Sequence, residues 1–182
     1  MFKELLTLLS SIVGTIGKAA SFTKSQRDQY YEVMNETYLL LNTTVNMVIV
    51  HTNDVLLVED EAEFRNRVKQ LDVYPKWLEI ERKLNLCHGL SRAVSRTKSL
   101  KKSLAGKIST QDWQRLVTHM EKVLSDEGEL AGMISRKFYD ISSSAEQTEH
   151  QKLREQLYDF RQNLITERHA LIQQEMKIHE II

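Results

Sequence analysis

One proline, Pro75, and only six glycines in 182 residues constrain this chain more than any other feature, because those are the residues that break helices and turn strands. Successive stretches carry apolar residues three and four apart instead. That spacing predicts an all-α protein: an antiparallel bundle of four long helices with an N-terminal amphipathic helix. Residues 1–22 read as an amphipathic arm and 23–182 as the helical bundle domain.

In the arm, at ~100° per residue, Phe2, Leu5, Leu6, Leu9, Ile12, Val13 and Ile16 share one half of a helix. Lys3, Glu4, Thr7, Ser10, Ser11, Thr15 and Lys18 share the other. No apolar run reaches the ~20 residues of a membrane span. The patterning, with Glu4 and Lys18 at its ends, reads as an amphipathic helix rather than a signal peptide.

Residues 25–58 place Tyr31, Met34, Tyr38, Leu41, Val45, Val48, Thr52 and Val55 in heptad spacing, which predicts a helix. A hairpin competes. Val45–Val50 and Val55–Val58 are rich in β-branched residues and flank His51-Thr52-Asn53-Asp54. Helix is preferred because an isolated two-stranded hairpin is marginal. Glu59, Asp60, Glu61 and Glu63 suit the N-terminal turn of a short helix through Phe64, Val68 and Leu71. From Pro75 the pattern resumes through Trp77, Leu84, Leu86, Leu90 and Leu104, ending near Gly106. Ser109 and Asp112 form a capping-box pattern opening a run through Trp113, Leu116, Met120, Val123, Leu130, Ile134 and Phe138. Ser142-Ser143-Ser144 reads as a loop, with Ser144 and Gln147 placed as a second capping box. The last helix carries Leu153, Leu157, Phe160, Leu164, Leu171, Ile178 and Ile182 in heptad spacing.

Catalytic patterns fail on context. Ser95-Arg96-Thr97-Lys98 matches S-x-x-K without its companion motifs, and Gly14-Thr15-Ile16-Gly17-Lys18 lacks phosphate-loop spacing. Glu175 and His179 stand one turn apart, but no facing Glu/His pair completes a di-iron arrangement. The Glu175–His179 pair, and likewise Glu149 and His150, read as solvated surface side chains. Cys87, the lone cysteine, sits among Leu84, Leu86 and Leu90 and reads as a buried thiol in a reducing, cytoplasmic setting. No catalytic residue, metal, cofactor or small-molecule substrate is assigned.

Lysine plus arginine equals aspartate plus glutamate at 25 each, so any pull toward phosphate must be local. One local patch stands out. No acidic residue falls between Arg82 and Gln111, where Arg92, Arg96, Lys98 and Lys102 contribute to a basic helix face over 82–107. An amphipathic first helix ahead of a long-helix bundle resembles, in architecture alone, the HeLo and necroptosis-effector bundle domains, and the resemblance implies a membrane-active first helix. The expected function is a non-catalytic interaction module that self-associates or docks to a protein or membrane partner through the arm and its apolar seams. The alternative is binding of nucleic-acid phosphates or anionic lipid through the basic face.

Overall fold

A computed structural model of the chain describes residues 23–72 and 129–181, with residues 95, 111, 114, 115 and 118 as single positions between them. The expected arm, the helix from Pro75 and the Ser109 capping box lie outside the described residues. Four helices are described: α1 (Lys24–Leu56), α2 (Glu61–Lys69), α3 (Glu129–Ser143) and α4 (His150–Ile181), with a 3-10 turn at Gln70–Asp72 after α2. No strand occurs among the described residues, and no helix there is long and apolar enough to cross a membrane.

α1 runs unbroken through the residues that competed as a hairpin. Tyr38, Leu41, Val45, Val48, Thr52 and Val55 are all buried. A heptad row becomes a continuous seam only in a helix, so packing overrides the β preference of the valines. Thr52 shows how a β-branched polar residue is accommodated. Its Oγ1 donates to the Val48 carbonyl one turn back, at 2.7 Å, so the buried hydroxyl keeps a partner.

α2 is nine residues long, too short to persist alone in water. Asp60 caps it by accepting the Glu63 N–H at 2.8 Å, and Glu61 and Glu63 stand at the positive end of the helix dipole. The pairs Arg65–Glu61 and Arg67–Glu63 are exposed contacts one turn apart and add little. Tertiary docking therefore holds α2. Phe64 and Val68 are fully buried, His150 stacks on the Phe64 ring at 5.1 Å, and the Arg65 guanidinium donates to the carbonyls of Ala145 and Thr148.

Two expectations are corrected at the junction of α3 and α4. The loop expected at Ser142–Ser144 is mostly helix, because α3 continues to Ser143. The Ser144–Gln147 capping box does not form, since the Ser144 hydroxyl turns back to the Ile141 carbonyl and α4 begins only at His150. Ser142 and Ser143 do the same toward Tyr139 and Asp140. These hydroxyls satisfy the last carbonyls of α3 and are unavailable to the next helix.

Among the described residues, the largest interface joins α1 and α4. Leu153, Leu157, Phe160, Leu164 and Leu171 form the buried heptad row of α4, and Phe160 meets Phe138 of α3 edge to face at 5.6 Å. Ile182 and the side chain of Ile178 lie outside the described residues. Leu157→Ala or Leu164→Ala should cost about 2 to 5 kcal/mol in denaturant unfolding, because each leaves a cavity in a closed seam. A loss below ~0.5 kcal/mol at both would mean that the row is not core.

Acid should loosen the α2 attachment. The hydrogen bond from Arg65, then that from His150, holds the Glu61 carboxyl below its ordinary value of 4.5. A depressed carboxylate stabilises the fold above its unfolded value, and that contribution disappears as pH falls through the lower, folded one. The thermal midpoint of Glu61→Gln should therefore drop less than that of the wild type on acidification below pH 4.5. Parallel curves would exclude this role.

Candidate functional site

On α4, Arg154, Arg161, Arg168 and Glu175 stand seven residues apart. Seven residues return a helix to nearly the same face, so these charges form one polar row beside the apolar one. Arg154 donates to the carbonyls of Leu56 and Val58, Arg161 Nη1 to Asn53 Oδ1 at 2.7 Å, and Arg168 Nε to Asn42 Oδ1 at 2.8 Å. As the numbers rise along α4, those of the partners fall along α1.

Every acceptor named here is neutral. Arg154 answers carbonyls that the end of α1 leaves without intrahelical donors, where the dipole is negative. Its guanidinium also lies 4.6 Å from the centre of the Phe64 ring. Arg161 is less well served. Its guanidinium lies 4.5 Å over Tyr158, yet Nε is buried without a hydrogen-bond partner, a condition that typically costs about 1 to 3 kcal/mol. At the far end of the row, Tyr38 is 1% exposed, and burial, then the Glu175 charge, push its phenol above the ordinary value of 10.0. The neutral hydroxyl is the form that the fold selects.

Where α1 ends beside the start of α4, an open groove of about 610 Å³ is lined by Asn53, Leu57, Arg154, Glu155, Tyr158 and Arg161, among others. Leu57 is 77% exposed and Tyr158 48%. The groove offers apolar contact and a part-buried cation, which is chemistry for holding a side chain and its neighbouring carboxylate. Among the described residues, no three His, Cys, Asp or Glu side chains converge as metal ligands do.

The arm residues Phe2, Leu5, Leu6, Leu9, Ile12, Val13 and Ile16, and the basic-face residues Arg92, Arg96, Lys98 and Lys102, lie outside the described residues. His150 is corrected. It is half-buried rather than solvated, stacked on Phe64 with Nδ1 3.2 Å from Glu61 Oε2. The seven-residue spacing of the arginine row does not mark it in the sequence, because arginines beside an apolar heptad pass for solvent-facing residues.

The two groove arginines should respond differently to removal of charge. Arg154→Met should cost about 1.5 to 3 kcal/mol, the usual worth of hydrogen bonds to a charged group. Arg161→Met should stay within about 0.5 kcal/mol of the wild type, since it keeps an apolar stem and removes an unpartnered donor. Denaturant unfolding of both variants checks this, and equal losses would refute it. No protein-family model, curated protein or solved structure matches the chain.

Proposed function

We propose that the chain is a non-catalytic interaction module: an antiparallel helical bundle that self-associates, or docks to a protein or membrane surface, through its N-terminal amphipathic helix and apolar seams. The opposed order of the α1 and α4 partners and their buried heptad rows support the bundle reading. A reducing setting, in the cytoplasm or at the face of a membrane, suits the lone Cys87.

The outward side of α1 carries the functional reading. From Thr37 to Asn53 the helix holds no Asp, Glu, Lys or Arg, a charge-free length of roughly five turns. Leu39 and Val50 within it, and Leu57 just beyond, are all exposed. They stand eleven and seven residues apart, so at ~100° per residue they share one stripe. An uncharged stripe bearing exposed leucine and valine is suited to being covered. The arm offers a matching surface, with one apolar half and a polar half of mainly serine and threonine.

Deleting residues 1–22 should leave the helical content and thermal midpoint of the remaining chain nearly unchanged while abolishing self-association or liposome co-sedimentation. A loss of several kcal/mol instead would place Leu5, Leu9, Ile12 and Ile16 in the core, at about 1.5 to 3 kcal/mol per buried side chain. The same sedimentation at ~50 and ~200 mM salt reports on the alternative, binding of phosphates through 82–107. That reading is favoured by the acid-free run around Arg92, Arg96, Lys98 and Lys102, and it requires steep salt dependence that charge reversal at Arg92 and Arg96 removes.

A further inference from the structure

Two stretches of the sequence lack charge for longer than any other: residues 5–17 of the arm and 37–53 of α1. Elsewhere no run without Asp, Glu, Lys or Arg exceeds eight residues. An ordinary amphipathic helix needs no such run, because it keeps charges along its flanks and outer side. A helix without them can be covered on its flanks too, with no buried ion left unpaired.

In α1 the surface in question is described. Leu39 and Val50 are exposed, and Thr43 and Asn46 between them are half-buried. Their spacing of four, three and four residues makes a second heptad row beside the buried one through Tyr38, Leu41, Val45 and Val48. Leu5, Leu9, Ile12 and Ile16 of the arm repeat that spacing, and as helices both rows span about 17 Å. Asparagine in a heptad row is a device that fixes register between paired helices. A lipid surface would suit the arm but not this row, since Thr43 and Asn46 would enter hydrocarbon unpaired.

Reach decides whose arm is the occupant. α1 begins at Lys24, about 22 Å before Leu39 and about 39 Å before Val50. Folded back through a turn in residues 17–23, a copy's own arm would run beside 24–39 and stop where the row starts. Going further requires a fully extended connection, whose backbone N–H and C=O groups find few partners along an uncharged helix. An arm from a second copy has no such limit. From the matched rows and this reach we infer that Leu39, Thr43, Asn46 and Val50 of one copy receive the arm of another, each copy giving one arm and taking one. Such reciprocal exchange closes on itself as a dimer. The inference rests on the reading of the chain as a self-associating module, and it names the surface that the arm meets.

Sedimentation equilibrium of the whole chain, with circular dichroism of each variant, tests this. Wild-type protein should dimerise. Leu9→Glu in the arm, and Val50→Glu or Leu39→Glu at exposed sites of the row, should each raise the dissociation constant at least about tenfold with helical content unchanged. An equimolar mixture of Leu9→Glu and Val50→Glu should associate more tightly than either variant alone, because the intact arm of one meets the intact row of the other. Loss of the dimer in Leu9→Glu but not in Val50→Glu or Leu39→Glu overturns this surface and leaves the module reading standing, with the arm docked elsewhere. A mixture no better than either variant alone overturns the exchange. A dimer that survives Leu9→Glu, or a Leu9→Glu chain that loses helical content, overturns the arm as the exchanged element. A monomeric wild type overturns the inference as well, and liposome co-sedimentation then decides whether the module reading survives.

Discussion

The guanidinium of Arg154 joins three of the four described helices at one point. It is carried by α4, donates to the carbonyls of Leu56 and Val58 at the end of α1, and lies over the ring of Phe64 in α2. Each contact meets a need that its own element leaves open. The end of α1 has carbonyls without intrahelical donors, and α2 is too short to hold itself. His150, one turn earlier on α4, stacks on the same ring and reaches Glu61. The first two turns of α4 thus serve as the dock for α2 and the cap of α1.

Beyond that point, the polar row does a different job from the apolar row beside it. Leu153, Leu157, Phe160 and Leu164 supply apolar burial, which is tolerant of exchange among similar side chains. The bond of Arg161 to Asn53 is offset by its buried, unpartnered Nε, while that of Arg168 to Asn42 is an ordinary hydrogen bond from a charged group. Their effect is on register. Sliding α4 by one heptad would keep leucine against leucine but separate both pairs at once.

The apolar half of this architecture was legible in the sequence. The heptads of α1 and α4 and the acidic start of α2 appear where the spacing and the helix dipole require them, and Asp60 takes the cap position itself. The hairpin alternative lost because β preference is a property of context, and Thr52 found its acceptor within the helix. The polar half was not legible in the same way. Ser144 matched a local capping pattern, but a serine at a helix end can equally bond the turn behind it, and nothing in four residues decides between the two. His150 and the arginine row depend on what faces them from a distant part of the chain. Spacing could flag the row as periodic, but it could not identify Asn42, Asn53 or the end of α1 as its partners.

The bonds that close this assembly reach far along the chain. Arg65 and Ala145 are 80 residues apart, and Arg154 and Leu56 are 98 apart. Helical proteins usually fold quickly because their contacts are local, yet α2 gains its support only after loops of that size have closed. Closure entropy grows slowly with loop length, so the thermodynamic cost is modest. The kinetic order is what changes. α1 and α4 can form helical turns on their own, while α2 gains its outside support only once His150 and Arg154 arrive.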